Sequence, residues 1–175
     1  GLVRYYREKS LFSIAINEGE KSLQKIATWR RTSSLTEGAR LAWIYLNIAQ
    51  THSANSRYSA SESYYKEAIR LMEKWKYPRE LILANFLYLP IANIYNRLDE
   101  HALSERYLTK VFTIASNSQD SNLLSRYYQD YAILKGIQGD FKAQKQAYTE
   151  GLRITNSPDE SRISFYQGLA RILIS

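Results

Sequence analysis

A recurring spacing of large and small side chains constrains this chain more than any other feature. In three segments a tyrosine is followed three residues later by an apolar or aromatic residue with a small one beside it, and the small residues are Ala49, Ala92 and Ala132. A fourth segment starts at Tyr166 and places Ala170 in the same position. These four alanines are 43, 40 and 38 residues apart. Side chains three and four residues apart share one face of an α-helix, so the spacing predicts a repeated amphipathic helix.

A second stripe follows the first after a short break. It begins with an aromatic residue or histidine and continues at gaps of three, four and three, as in Tyr58, Ser61, Tyr65 and Ala68. The same gaps recur from His101 and from Phe141 without an insertion; these two stripes are His101, Ser104, Leu108 and Val111, then Phe141, Gln144, Tyr148 and Gly151. Two amphipathic helices joined by a short turn form a helical hairpin, and stacked hairpins bury the apolar faces that one hairpin leaves open.

Turn-forming residues support these boundaries. Gly139 and Asp140 provide a helix end followed by a helix cap, and Pro78 suits the first turn of a new helix. Pro90 lies inside a predicted helix, where we expect it to kink the helix or to end it early.

The first 36 residues are less regular. Leu11, Ile14 and Ala15 form one helical stripe, and a second stripe of Leu23, Ile26 and Ala27 follows a break at Gly19. We interpret residues 1–36 as a divergent first hairpin whose second helix covers Ser22 to Arg31. A single long N-terminal helix is the alternative.

The paired stripes resemble the tetratricopeptide repeat (TPR) over residues 40–175. The period is longer than the usual ~34 residues, and tyrosine stands at the family's tryptophan position. The resemblance implies an all-α fold, a right-handed α-solenoid of about four stacked antiparallel helical hairpins. It implies one TPR-like domain over 1–175, which after residues 1–36 contains repeats at 40–77, 80–117 and 121–156 and a final helix at 158–175.

Catalytic and cofactor chemistry finds little support in the sequence. The chain has no cysteine, and its two histidines fall where the repeat places an aromatic ring. There is no glycine-rich phosphate loop, nucleophile motif or clustered metal-ligand spacing. We therefore expect no enzyme activity, no cofactor and no metal.

The candidate site lies on the first helix of each hairpin, which in arrays of this family lines the concave surface. Polar and aromatic residues there point away from the predicted core stripe, and amide and guanidinium groups suit an extended peptide. The candidate peptide-binding residues are Trp43, Asn47, Gln50, Phe86, Asn93, Asn96, Arg97, Arg126, Gln129, Asp130, Gln167 and Arg171.

These features predict a non-catalytic module that binds a protein or peptide, as the sensor or scaffold segment of a larger signalling or regulatory protein. A net charge of +7 favours an acidic ligand. The charge, with abundant tyrosine and arginine, also leaves open a nucleic-acid-binding solenoid. A third alternative is a homodimer through an exposed repeat end that includes Leu169, Ile172, Leu173 and Ile174.

The sequence has no signal-peptide pattern and no apolar stretch long enough to insert into a membrane. A cytoplasmic location is favoured over others on this basis. The chain starts with glycine, which favours a piece of a larger protein, and a signal or membrane segment could lie outside it.

Overall fold

The computed structural model describes residues 1–28, 34–155 and 160–174, and every regular element in these ranges is helical. The predicted all-α fold class is confirmed. The chain divides into two compact units, Gly1–Leu87 and Tyr88–Ser175.

The first unit contains two helical hairpins and the start of a third. Its elements are α1 (Leu2–Glu8), α2 (Phe12–Thr28), α3 (Leu35–Ala54), α4 (Tyr58–Lys74), α5 (Glu80–Leu83) and the beginning of a π-helical segment (Ala84–Tyr88). Helices α1 and α2 pack against each other and against α3, and α3 packs on α4.

The second unit repeats this arrangement. Its helices are α6 (Leu89–Arg97), α7 (His101–Ser118), α8 (Ser121–Ile137), α9 (Phe141–Ile154) and α10 (Glu160–Ile174). Each packs on the next along the chain, and α8 also contacts α6 and α10. A core of Ala132, Ala147, Tyr148 and Phe165 joins α8, α9 and α10.

All four hairpin turns share one backbone conformation. Two residues before each second helix, the chain adopts a positive φ, at Ser10 (58°), Ser56 (55°), Asp99 (60°) and Gly139 (76°). The N–H of the next residue donates to a carbonyl in the last turn of the first helix at 2.9 Å in every case, joining Leu11 to Tyr6, Arg57 to His52, Glu100 to Tyr95 and Asp140 to Lys135. This bond satisfies a carbonyl that the helix end leaves without a partner.

The N-terminal helices differ from the expectation. The break lies at residues 9–11, and α2 begins at Phe12 rather than at Ser22. Gly19 lies inside α2, and the side chain of Ile48 packs where a Cβ at residue 19 would lie. From Phe12, the gaps of three, four and three lead to Ala15, Gly19 and Ser22, so this hairpin has the spacing of the later ones. The expected end of this helix at Arg31 and the boundary at 156–158 lie outside the described residues.

Pro90 changes the helix around it without ending it. Proline has no N–H, so the carbonyl of Phe86 cannot receive the usual bond from four residues later. The chain accommodates this by a π-helical turn at Ala84–Tyr88, after which α6 continues as an α-helix from Leu89 to Arg97. Of the two expected outcomes, a kink or an early end, the early end does not occur, and a local change in helical pitch stands at this place.

The shared turn generates a stability prediction at Gly139. An added Cβ there would meet no atom within 4 Å, so substitution tests backbone conformation alone. For a residue other than glycine, the left-handed region costs about 1–2 kcal/mol. We expect Gly139→Ala to lower the free energy of unfolding by about 1 kcal/mol in urea denaturation.

Gly139→Asn is the matched control because asparagine tolerates a left-handed conformation better than alanine does. It should lose less stability than Gly139→Ala. Equal losses in both variants would show that the backbone conformation is not the cause.

Candidate functional site

The candidate residues occupy the first helices of the hairpins, and we call them the first-helix surface of each unit. In the first unit this surface consists of Trp43, Asn47, Gln50 and Phe86. In the second unit it consists of Asn93, Asn96, Arg97, Arg126, Gln129, Asp130, Gln167 and Arg171.

An aromatic pair marks the first-helix surface of the first unit. The rings of Trp43 and Phe86 meet edge to face, with centroids 5.7 Å apart and planes at 67°. Trp43 is half-buried, whereas Phe86 keeps 46% of its surface exposed. This geometry suits aromatic quadrupoles, and it leaves one large apolar ring available to a binding partner.

In the same unit, two side chains that were predicted to bind a ligand, Asn47 and Gln50, form hydrogen bonds within the protein. Arg7 on α1 donates from Nη1 to Oε1 of Gln50 at 2.5 Å and to the carbonyl of Asn47 at 3.5 Å. The Asn47 amide nitrogen donates to the carbonyl of Trp43 at 2.7 Å. Burial lowers the pKa of the Arg7 guanidinium, although the group stays charged. The protein itself therefore satisfies part of the hydrogen-bonding capacity of Asn47 and Gln50.

A small cavity lies beside this network. It has a volume of about 260 Å³ and is formed by α1, α2 and α3, with Gly1, Leu2, Val3, Arg4, Glu18, Ser22, Ile44 and Asn47 around it. Its lining mixes apolar side chains with charged and amide groups.

In the second unit, Asn93 and Asp130 bind each other across α6 and α8. The Asn93 amide nitrogen donates to Oδ2 of Asp130 at 2.9 Å. Burial raises the pKa of the Asp130 carboxyl to about 6, while the hydrogen bond from Asn93 and the charge of Arg126 act in the opposite direction. Desolvation is the largest of these effects, because burial disfavours the charged form of a carboxyl group.

Other residues of the second unit's first-helix surface face solvent. Arg97, Arg126, Gln167 and Arg171 are exposed, and Gln129 is partly exposed. The three arginines carry forked donors that can bind a carboxylate with two hydrogen bonds.

Asn96 departs from the expectation that it faces a groove. Its side chain is 9% exposed, and neither its amide nitrogen nor its amide oxygen has a hydrogen-bond partner. The equivalent positions in the neighbouring hairpins hold Ser53 and Gly136. Small residues at this point indicate that it faces the interior near the hairpin turn, which explains the burial of Asn96.

The histidines pack in the interior. His52 is buried, stacks on Tyr64 with a centroid distance of 5.3 Å, and has a pKa that burial lowers. His101 is partly buried. Within residues 1–28, 34–155 and 160–174, no group of three or more histidine, aspartate or glutamate side chains could hold a metal ion. Over those same ranges, no helix combines the length and apolarity needed to cross a bilayer.

Arg7 belongs to the polar network, although the sequence did not predict it as a site residue. Arg7 stands one residue after Tyr6, at the position that Asn96 and Gly136 occupy in later hairpins. That equivalence becomes visible only when α1 is aligned with the other first helices. The assumed break at Gly19 concealed the alignment.

The buried carboxyl of Asp130 generates a pH prediction. Its pKa is about 6 in the folded chain and about 3.9 in an unfolded one. A raised carboxyl pKa means that the folded state binds more protons, so this group's contribution to stability falls as pH rises from about 4 to about 6. We expect Asp130→Asn to raise the free energy of unfolding by about 2 kcal/mol at about pH 7.5 and by much less at about pH 4.

Urea denaturation at the two pH values measures this difference. Asp99→Asn is the control because it makes the same chemical change at an exposed hairpin turn. A gain in the control equal to that in Asp130→Asn, or a gain that does not depend on pH, would contradict the role of burial.

Comparison with known proteins supports the repeat interpretation. Residues 44–74 match the model of the tetratricopeptide repeat. This segment spans most of α3 and all of α4, which form one complete hairpin. No curated protein matches the sequence.

Solved structures share the fold at low sequence identity. BtubC (BKLC) from P. vanneervenii is 16% identical, with a TM-score of 0.80 over 99% of this chain and 69% of that one. The nearly identical TPR-like repeats of a Podosopora anserina putative kinesin light chain are 16% identical, with a TM-score of 0.78 over 99% of this chain and 82% of that one. A variant form of those repeats gives 15% identity and a TM-score of 0.71 over the same shares of the two chains.

These similarities agree with the shared turns and spacing of the hairpins. Residues 44–74 therefore match a tetratricopeptide repeat, and the chain has the fold of TPR-like helical repeats.

Proposed function

We propose that this chain is a non-catalytic module that binds an extended polypeptide through its first-helix surfaces. Tetratricopeptide repeats are in general protein-interaction or scaffold modules, and they are generally non-catalytic. To this general role we add the first-helix surfaces as the binding site and an extended polypeptide as the ligand. A role as the sensor or scaffold segment of a larger signalling or regulatory protein is part of it.

The exposed ring of Phe86, which packs edge to face on the half-buried Trp43, is the observation that carries the proposal. Tryptophan and other large aromatic residues contribute strongly at protein interfaces because they remove much apolar surface from water. Phe86 presents its ring beside Trp43 of α3, the helix that also carries the amide groups of Asn47 and Gln50. An apolar side chain of a bound peptide would pack against this ring while its backbone meets the amides.

The exposed arginines of the second unit favour an acidic ligand. Arg97 ends α6, and Arg126 lies on α8. The chain as a whole carries a net charge of +7. Opposite charge on the ligand would speed association and make binding sensitive to salt.

The first test uses peptides selected from a random display library against the 175-residue chain. Fluorescence anisotropy then measures the affinity of one selected peptide for each variant. We expect Phe86→Ala to weaken binding at least tenfold, about 1.4 kcal/mol, because it removes the exposed apolar contact.

Phe141→Ala is the matched control. Phe141 is 56% exposed and begins a second helix, α9, so its removal should leave the affinity unchanged. Equal effects of the two variants, or no selected peptide at all, would overturn the proposed surface.

The second test concerns charge. The double variant Arg97→Ala, Arg126→Ala should lose affinity for an acidic peptide and should show a shallower dependence of affinity on salt concentration. Arg106→Ala, at an exposed position on the second helix α7, provides the control. An unchanged salt dependence in the double variant would exclude these arginines from the interface.

A nucleic-acid ligand is the competing outcome of the same measurements. Labelled single-stranded RNA and DNA replace the peptide, and affinity is followed against salt. Tight binding at low salt with a steep decline would favour a nucleic-acid-binding solenoid over a peptide-binding one.

A further inference from the structure

In two of the first helices, a pair of buried small side chains marks the face that packs in the interior. Ala42 and Ala49 are seven residues apart in α3, and both are fully buried. Ser125 and Ala132 are seven residues apart in α8, with 6% and 0% of their surfaces exposed. Seven residues make about two turns of an α-helix, so the two members of each pair lie on the same face.

The first helix of the third hairpin, which runs through α5, the π-helical turn and α6, has one residue more between such a pair. Its buried small residues are Ala84 and Ala92, which are both fully buried and eight residues apart. Asn85, seven residues before Ala92, is only partly buried. A π-helical turn joins residues five apart instead of four. The turn at Ala84–Tyr88 therefore accommodates the extra residue while both alanines stay in the interior.

Pro90 favours the same turn for a separate reason. In a regular α-helix its ring would clash with the carbonyl of Phe86, four residues earlier. The π-helical turn ends at Tyr88 and α6 continues from Leu89, so the change of pitch lies directly before this proline. The extra residue and the proline are independent features of the sequence, and one turn accommodates both.

This turn carries the exposed ring of the first-helix surface. Phe86 is the middle residue of the π-helical turn and lies six residues before Ala92, as Trp43 lies six residues before Ala49. The two rings therefore hold the same position in successive hairpins, and the extra residue is Asn85. Trp43, on a regular helix, is half-buried, whereas Phe86 is 46% exposed. A turn that holds an additional residue bulges outward, which places the ring of Phe86 farther from the helix axis.

We propose that the π-helical turn positions Phe86 for ligand binding, with Asn85 as the extra residue that maintains the turn. This role rests on the proposed binding of a polypeptide by the first-helix surfaces, and it identifies what makes this ring more exposed than Trp43. The amide nitrogen of Asn85 donates to the carbonyl of Leu81 at 2.9 Å, so the side chain is held against its own helix. Asn85 is therefore a positioning residue, which acts through Phe86. Single π-helical turns within α-helices are frequent at functional sites.

A straightened helix tests the proposal. Deletion of Asn85 combined with Pro90→Ala leaves Ala84 and Ala92 seven residues apart, the spacing of a regular α-helix, and keeps Phe86 six residues before Ala92. Fluorescence anisotropy with the peptide selected on the unsubstituted chain measures the effect. We expect the affinity to fall roughly fivefold, because the ring moves back towards the helix axis. An unchanged affinity would overturn the proposal.

Asn85→Ala is the matched control, since it removes the side chain but keeps the number of residues. It should retain most of the affinity, and a loss as large as that of the deletion would assign the effect to the amide instead of the turn. Urea denaturation and circular dichroism check that the straightened chain folds. Deletion of Asn85 with Pro90 retained is a second, smaller change. Failure of both deletion variants to fold would overturn the proposal, because the turn would then serve the core rather than the ligand.

Thiol labelling measures the exposure of residue 86 without a ligand. The sequence has no cysteine, so Phe86→Cys introduces a single reactive thiol. Its rate of reaction with a water-soluble thiol reagent should fall severalfold when the helix is straightened. Phe141→Cys, at an exposed position on α9, should react at the same rate in both forms.

The two measurements separate the effect of the turn from ligand binding. A labelling rate at residue 86 that straightening leaves unchanged would overturn the positioning role, whatever the ligand. A lower labelling rate with an unchanged affinity would show that the ring of Phe86 is outside the interface. That result would contradict both the positioning role and the proposed binding surface.

Discussion

The close approach of two helices at a small side chain is the contact on which the rest of this structure depends. Ala49, Ala92 and Ala132 are fully buried where the second helix of each hairpin crosses the first. In the hairpin of α3 and α4 the helices are so near that the Ser61 hydroxyl donates to the carbonyl of Ala49 at 2.8 Å. This contact holds the apolar face of the first helix against the second helix of the same hairpin. The other side of the same helix is then available for the polar and aromatic residues of the first-helix surface.

Sequence periodicity was sufficient to predict the helix pairs, because the spacing of large and small residues follows from this contact between the two helices. The tyrosine, the apolar residue and the alanine of each first helix must share one face, so their spacing predicts the burial that Ile48, Ile91 and Ala132 have. The helix cap at Asp140 was equally predictable, and its carboxylate accepts a hydrogen bond from the backbone N–H of Ala143 at 3.0 Å.

The N-terminal hairpin could not be predicted in the same way. Gly19 has a low intrinsic helix propensity, and a single sequence therefore favours a break there. Helix α2 nevertheless continues through Gly19, and the glycine is explained by packing, since Ile48 of α3 occupies the space that any side chain at residue 19 would need. The effect of Pro90 was only partly predictable: the lost hydrogen bond follows from proline chemistry, whereas the π-helical turn depends on the surrounding packing.

The candidate site shows a more general limit of periodicity. A helical pattern predicts which side of a helix a residue occupies, but not whether a neighbouring helix already uses its polar atoms. The Asn47 amide donates a hydrogen bond to the backbone of its own helix, and the Gln50 amide oxygen accepts one from Arg7. The Asn93 amide donates one to Asp130. Phe86, by contrast, keeps 46% of its surface exposed to solvent. The spacing places all four residues on first helices, and only the three-dimensional structure separates the amides that the protein already uses from the exposed ring.

Asp130 finally bears on why the first-helix surface has this composition. A carboxylate whose pKa is raised by burial opposes folding at neutral pH, so stability does not account for an aspartate at this position. Residues with strongly perturbed pKa values are concentrated at functional sites, although structural networks produce them too. Here the carboxylate fixes the amide of Asn93 and lies within the field of Arg126. An amide held in one orientation presents its remaining donor and acceptor to a peptide backbone at a smaller entropic cost, and this advantage is consistent with a recognition role for the pair.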